Sequence, residues 1–190
     1  MAADPTVAPE WRFTVEEYER MGEVGILDPQ ARVELLEGKI VYMSPIGARH
    51  AGVVNRLNRL LVTRLHESAM VIVRNPLRLL PRSEPQPDVM VARYRRDCYE
   101  SAHPTAEDVL LVIEVAESSL RTDRAMKLPI YANQGVVEVW LVDLVADVVH
   151  VHTDPGTNSY RAVRAVRPGE QLTPTMVPDL TLTTADILGR

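Results

Sequence analysis

The sequence predicts an α/β (α+β) fold, in which one mixed β-sheet is flanked by helices. A strand–helix–strand pattern over residues 109–143 requires a parallel crossover connection. Paired strand patterns at 33–43 and 148–166 indicate antiparallel hairpins on either side of it. A chain of 190 residues is long enough for one domain with a sizeable core, and two domains are not expected.

The N-terminal third predicts a tail, a short helix and a hairpin. Residues 1–10 are small, polar and proline-containing, so we expect a flexible tail over residues 1–11, followed by a single domain over residues 12–190. A helix is predicted to start next to Thr14, which forms a capping-box pattern with Glu17. The segment VELLEGKIVYM then predicts two short strands joined at Glu37 and Gly38.

A long amphipathic helix is predicted from His50 to about His66. Its apolar residues recur with spacings of three and four, and they are Val53, Val54, Leu57, Leu60, Leu61 and Leu65. Strands are predicted next at 70–73, at 77–80 with proline interruptions, and at 85–91 after a proline lead-in. We expect a loop or short helix over the polar residues 93–107.

The run VLLVIEV, at residues 109–115, is the most apolar segment and predicts a strand buried on both faces. A helix is predicted from about 121 to 134, kinked or interrupted at Pro129 and ended by Gly135. The next strand is predicted at 136–143. A hairpin of 148–153 with 160–166 is predicted to turn around Asp154, Pro155 and Gly156.

Composition excludes several classes of protein. The net charge of −5 argues against a broad basic surface for duplex DNA. One cysteine excludes an internal disulfide and fits a reducing cytoplasm. No apolar run approaches the roughly 18 residues of a membrane span, and the N-terminus lacks the pattern of a signal peptide. We therefore expect a cytoplasmic protein with no membrane segment.

One acid interrupts the most apolar strand. A buried carboxylate without a partner is very costly, so Glu114 needs a cation or a proton. It shares a strand face with Ala116, whose small side chain leaves space beside it. Asp88 follows Pro87 at the start of another predicted strand. If the two strands are neighbours, Asp88 and Glu114 converge and offer the hard oxygen ligands that suit Mg²⁺ or Mn²⁺.

A lysine is expected near this pair of acids. Asp123, Lys127 and Tyr131 are spaced by four and share one face of the predicted crossover helix. Because that helix packs next to the Glu114 strand, the Lys127 ammonium can reach the same pocket. There it could orient a water nucleophile or offset developing negative charge. The simpler alternative for this lysine is an ion pair with Asp123 within the helix.

Three segments together resemble the Uma-two family. They are VELLEGKIVYMSP followed by a histidine, PQPDVMVAR, and EVAESSLRTDRAMKLPIYANQGVVEVWLVDL, and the resemblance covers roughly residues 12–188. Members of this family are bacterial restriction-endonuclease-like proteins of the PD-(D/E)XK nuclease superfamily. The resemblance implies a restriction-endonuclease-like sheet and a nuclease that hydrolyses DNA phosphodiester bonds. It also implies Mg²⁺ as the cofactor, with Mn²⁺ as a substitute, and no organic cofactor.

The same resemblance assigns site residues. Asp88 after Pro87 matches the first superfamily motif, and the sequence Glu-Val-Ala from Glu114 matches (D/E)-x-K with alanine in place of lysine. The lysine of this family is expected on the following helix, at Lys127. The resemblance therefore implies Asp88, Glu114, Lys127 and one further acid as catalytic residues, with the acids as metal ligands.

The further acid and the supporting residues are less sharply assigned. Glu34 matches an early acidic residue that serves as an additional ligand, and Glu37 competes for that role. His50 matches a histidine that opens the long helix. His50, Asp123 and Tyr131 are the residues expected to support the metal ligands.

Other functions stay open at this point. The fold could be a weakly active or inactive module that binds nucleic acid or protein, or a metal-dependent hydrolase of a small phosphorylated compound. A homodimer is expected, because superfamily members that cut both DNA strands often pair. No helix-turn-helix or zinc finger is attached, so base recognition is expected from loops or not at all.

Overall fold

The structure, a computed structural model, describes residues 9–117 and 123–190. The four helices in those ranges are α1 (Val15–Glu23), α2 (Ala48–Leu65), α3 (Leu128–Asn133) and α4 (Thr184–Leu188). The first five strands are β1 (Val33–Leu36), β2 (Lys39–Tyr42), β3 (Ala69–Ile72), β4 (Val89–Arg93) and β5 (Val109–Ala116). The others are β6 (Glu138–Asp143), β7 (Val148–Gly156), β8 (Ser159–Val166), β9 (Gln171–Leu172) and β10 (Leu182–Thr183).

The main sheet has six strands in the order β3-β4-β5-β6-β7-β8. β5 and β6 are parallel, and the other neighbouring pairs are antiparallel. This mixed sheet with one parallel crossover confirms the predicted fold class. All eight residues of β5 are buried, as expected for a strand covered on both faces.

Two apolar layers cover the sheet, because side chains alternate between its faces. On one face, Leu57 and Leu61 of α2 pack with Ile113 and Trp140. The opposite face carries Val112 and Ala116 of β5, packed with Leu128 and Tyr131 of α3 and with β1. Glu114 lies on the same face of β5 as Val112 and Ala116, so its side chain projects into the layer formed by α3 and β1.

Several predicted elements are confirmed. The Thr14 hydroxyl accepts a hydrogen bond from the Glu17 N–H at 3.2 Å, and Glu17 Oε2 accepts one from the Thr14 N–H at 2.8 Å. This is the predicted capping box at the start of α1. The amphipathic helix forms as α2, and the hairpin of β1 and β2 turns at Glu37 and Gly38.

The crossover helix differs from the prediction. It begins with a π-helical turn at Asp123–Lys127 and continues as the short α3. Pro129 lies in the first turn of α3, the part of an α-helix where proline is best tolerated. Gly135 has φ +76°, which agrees with its predicted position after the helix. Residues 121 and 122 of the predicted helix lie outside the described residues.

Two other segments correct the predictions. The hairpin turn lies at Thr157 and Asn158 rather than at 154–156, because β7 continues through Gly156. Pro155 is tolerated there since β6 flanks β7 only as far as Thr153. Residues 77–80 form only isolated bridges and no strand of the sheet, because Pro76 and Pro81 bound the segment and cannot donate to a ladder. Arg93 ends β4, and the rest of the polar segment 93–107 consists mainly of turns.

The predicted division into a tail and one domain stays a prediction, and residues 1–8 of that tail lie outside the described residues. Trp11, at the end of the predicted tail, is largely exposed. In the part of the chain that the structure describes, no helix combines the length and apolar character needed to cross a membrane.

A buried acid outside the site makes stability depend on pH. Glu84 is 5% exposed, and its N–H donates to the Leu35 carbonyl. Burial, together with the negative charge of Glu19, raises the pKa of Glu84 to about 7 from an ordinary 4.5. Between these pH values the folded protein keeps the proton that the unfolded chain has released. Stability contributed by this proton is therefore present at low pH and is lost as pH rises towards 7.

The substitution Glu84→Gln should remove this dependence, because the amide is neutral at every pH. We expect the variant to match the wild type near pH 4 and to exceed its free energy of unfolding by on the order of 1 kcal/mol at pH 8. Urea unfolding at the two pH values measures both. A variant that is equally stable or less stable than the wild type at pH 8 would contradict the proposed protonation of Glu84.

Candidate active site

The register of two adjacent strands brings the predicted acids together. β4 and β5 are neighbours, and Val89 pairs with Ile113, so Asp88 stands opposite Glu114 one residue further on. The Asp88 N–H donates to Glu114 Oε2 at 3.4 Å. The Val115 N–H donates to Asp88 Oδ2 at 2.9 Å. β4 and β5 are therefore neighbours, which is the condition under which Asp88 and Glu114 were expected to converge.

Lys127 lies between two buried carboxylates. Its Nζ is 3.2 Å from Glu34 Oε2 and 3.3 Å from Glu114 Oε1. Residue exposures of 6%, 4% and 3% for Lys127, Glu34 and Glu114 show that all three are shielded from water. Buried charges are tolerated in a core only when they are paired. Here the Lys127 ammonium pairs with both the Glu34 and the Glu114 carboxylates.

Tyr131 fixes the same carboxylate from the helix. Its hydroxyl donates to Glu114 Oε1 at 2.6 Å, and the side chain is fully buried. Lys127 ends the π-helical turn and Tyr131 lies four residues later in α3, so both side chains reach one oxygen of Glu114. The structure describes the backbone of Asp123 in that turn. Its side chain lies outside the description, so its supporting role stays a prediction.

The hairpin of β1 and β2 distinguishes the two candidate acids near the N-terminus. Glu34 is buried and accepts a hydrogen bond from the Gln86 N–H at 3.1 Å, in addition to its ion pair with Lys127. Glu37 is exposed in the turn and lines a different cavity, beside Arg12. The acid that joins Asp88 and Glu114 at the cleft is therefore Glu34.

Two basic side chains contact Asp88. His50, in the first turn of α2, places Nε2 2.8 Å from Asp88 Oδ1. The Nε atom of Arg74 is 3.5 Å from the same oxygen. The sequence reasoning missed Arg74, which lies two residues beyond β3. Ile72 pairs with Met90, so continuing that register places Arg74 opposite Asp88 and makes a charged row across three strands.

Most of these residues, but not Arg74 or Tyr131, line one cleft of about 90 Å³. Its wall includes the acids Glu34, Asp88 and Glu114 with His50, Gln86 and Lys127. Its other side is formed by the ends of β1 and β2 and the segment that follows them, with Arg32, Tyr42 and Ile46 among the residues. The cleft therefore lies at one end of the sheet, and the mostly buried acids form part of its wall.

The donor set fits a hard divalent cation. Asp88 and Glu114 supply carboxylate oxygens from adjacent strands, and such oxygens are the ligands that Mg²⁺ and Mn²⁺ prefer. Among the residues that the structure describes, no group of three or more His, Cys, Asp or Glu side chains is placed to hold a metal ion. Mg²⁺ does not need three protein ligands, since it commonly binds one or two carboxylates and keeps several waters.

Comparisons with known proteins agree with this architecture. Residues 15–185 match the Uma2 family, described as "Putative restriction endonuclease". A crystal structure of "a putative nuclease belonging to DUF820" from Anabaena variabilis ATCC 29413, at 1.96 Å resolution, has a TM-score of 0.72. It is 15% identical and covers 93% of this chain and 98% of its own, so it shows the fold alone. No curated protein matches the chain. The protein therefore belongs to the Uma2 family and has a nuclease-like fold.

Proposed function

We propose that this protein is a divalent-metal-dependent endonuclease that hydrolyses phosphodiester bonds in DNA. The observation that supports this most strongly is the meeting of Asp88, Glu114 and Glu34 with Lys127 at one solvent-accessible cleft. The family description and the nuclease-like fold also favour phosphodiester hydrolysis.

In this proposal the acids hold the metal. Asp88 and Glu114 would bind Mg²⁺, or Mn²⁺ in its place, and Glu34 would contribute directly or through a water molecule. The bound ion would supply Lewis acidity, which activates water and neutralises charge on the scissile phosphate.

The surrounding bonds hold both acids in position before a ligand arrives. Lys127 and Tyr131 both contact Oε1 of Glu114, while Oε2 faces the Asp88 strand. His50 contacts Oδ1 of Asp88, and the backbone N–H of Val115 binds Oδ2. A carboxylate that is already oriented loses little freedom on binding, which is how a preorganised site favours its transition state.

Lys127 supplies the positive charge. Its ammonium is buried, so water competes weakly for its charge and its electrostatic effect on a nearby phosphate is larger than on the surface. We propose that it orients the attacking water or stabilises the negative charge that develops on the phosphate. Its ion pairs with Glu34 and Glu114 keep it at the cleft.

A homodimer is also proposed. β8 is an edge strand of the sheet, and its outer residues are mostly exposed. An edge strand has backbone groups that can pair with another chain. Sedimentation equilibrium should then give twice the chain mass of 21.3 kDa; a single species at the chain mass would contradict the dimer.

A comparison of substrates and metals tests the proposed reaction. Purified protein is incubated with plasmid DNA, single-stranded DNA or a mononucleotide, in Mg²⁺, in Mn²⁺ or in EDTA. We expect cleavage of DNA that requires the metal and no hydrolysis of the mononucleotide. Hydrolysis of the mononucleotide alone would indicate a small-molecule hydrolase. Binding of DNA without cleavage in either metal would indicate a nucleic-acid-binding module.

A further inference from the structure

Arg74 combines an unusual backbone conformation with a contact to the candidate site. It has φ +55°, in the left-handed region that residues other than glycine seldom adopt. Its N–H donates to the Pro87 carbonyl at 3.1 Å, and its Nε lies 3.5 Å from Asp88 Oδ1. The chain thus keeps an arginine where glycine would fit without strain, and such backbone outliers cluster at functional sites.

Arg74 is not needed to hold Asp88 in place. His50 Nε2 lies 2.8 Å from Oδ1, and the Val115 N–H donates to Oδ2 at 2.9 Å, so each Asp88 oxygen has a closer partner elsewhere. The 3.5 Å separation of Arg74 Nε from Oδ1 is longer than an ordinary hydrogen bond. Among the described residues, the Arg74 guanidinium has no hydrogen-bond acceptor, and 30% of the side chain is exposed. Its Nη groups are therefore available to a ligand.

The other cations near the acids already have partners within the protein. Lys127 is buried between two carboxylates. Arg32, the arginine in the cleft wall, donates through Nη1 to the Ser44 carbonyl at 3.1 Å. DNA brings a negative charge with each phosphate, and a guanidinium can bind a phosphate through two parallel hydrogen bonds. Arg74 can supply both the charge and the paired donors.

We infer that Arg74 binds a phosphate of the DNA backbone next to the scissile one. This inference rests on the proposed nuclease function and adds a phosphate subsite to it. Arg74 contacts Asp88 but does not line the cleft, so the phosphate it binds flanks the one at the acids. A contact to the backbone carries no sequence information, so it adds affinity for DNA of any sequence.

The substitution Arg74→Gly tests the inference, because glycine adopts the same backbone conformation and keeps the N–H that donates to Pro87. Fluorescence anisotropy measures the binding of a labelled duplex oligodeoxynucleotide to the full-length protein over a range of NaCl concentrations. Ca²⁺ is present throughout, since it also binds carboxylate oxygens. We expect Arg74→Gly to bind about tenfold more weakly, and its slope of log K against log salt to fall in magnitude by about one.

Two further variants identify the contact. Arg74→Lys keeps the charge but loses the paired donors, so its affinity should lie between those of the wild type and Arg74→Gly. Arg20→Ala is the control, because Arg20 is exposed on α1, pairs with Glu23 and lies outside the cleft wall. It should bind DNA like the wild type.

Mn²⁺ binding separates a phosphate contact from a structural role. If Arg74 acted by positioning Asp88, its removal would weaken Mn²⁺ binding in titration calorimetry. We expect Arg74→Gly to bind Mn²⁺ at least as tightly as the wild type, because the substitution removes a positive charge beside Asp88.

Three results would overturn the inference: unchanged DNA affinity and salt slope in Arg74→Gly, an equal loss in Arg20→Ala, or weaker Mn²⁺ binding by Arg74→Gly. Metal-dependent cleavage by the wild type would still support the nuclease in each of these cases. Conversely, DNA binding that depends on Arg74, without cleavage in any metal, would refute only the nuclease.

Discussion

Replacing Asp88 with alanine is expected to reduce Mg²⁺-dependent DNA cleavage to background, a loss of about 10²–10³-fold or more in kcat/KM. Asp88 supplies one of the two carboxylates that face each other where β4 and β5 are paired. Its removal also leaves His50 and Arg74 without the oxygen that both contact. Cleavage of plasmid DNA over a range of Mg²⁺ concentrations measures the effect.

An aspartate distant from the cleft provides the control. Asp154 is exposed and paired with Arg161, so Asp154→Ala should cleave at the wild-type rate. Circular dichroism of both variants checks that each is folded. If Asp88→Ala nicks DNA as fast as the wild type, then Asp88 is not a metal ligand of this reaction.

Replacing Lys127 with methionine is expected to destabilise the protein by about 3 kcal/mol at pH 7.5 in EDTA. Methionine keeps the length of the side chain but removes the charge that Glu34 and Glu114 share in the core. Two buried carboxylates then lack their ammonium partner, and removing one member of a buried ionic group is strongly destabilising. Urea unfolding of the wild type and the variant at this pH measures the difference.

The other lysine of the chain is a matched control. Lys39 lies on the surface and pairs with Glu10, so Lys39→Met should leave the free energy of unfolding unchanged within error. A similar stability for Lys127→Met and the wild type at pH 7.5 would show that the core does not depend on this ammonium. The ion-pair account of Glu34 and Glu114 would then be wrong.

The sequence alone predicted the elements on which the acids lie. An apolar, β-branched strand identified β5, and the proline before Asp88 identified the start of β4. The anomaly of a charge inside the most buried strand pointed to Glu114 before any resemblance was considered. The two strands were confirmed because their prediction depends on local composition and on the two-residue alternation of a strand.

Features that depend on register could not be predicted. Arg74 joins Asp88 only because β3 pairs with β4 in one particular alignment, and nothing local to Arg74 indicates it. The choice between Glu34 and Glu37 likewise required the hairpin geometry, since both acids belong to the same short segment. The hairpin turn was misplaced because Asp-Pro-Gly is a strong local turn pattern, yet cross-strand pairing extends β7 past it.

Titration calorimetry with Mn²⁺ tests the central claim most directly, which is that Asp88 and Glu114 hold one divalent ion. The account predicts that the wild type binds Mn²⁺ and that Glu114→Gln loses this binding, because the amide removes the charge and changes one ligand atom. Glu37→Gln, in the exposed hairpin turn, should bind Mn²⁺ as the wild type does. Undiminished Mn²⁺ binding by Glu114→Gln, or no binding by the wild type, would contradict the account.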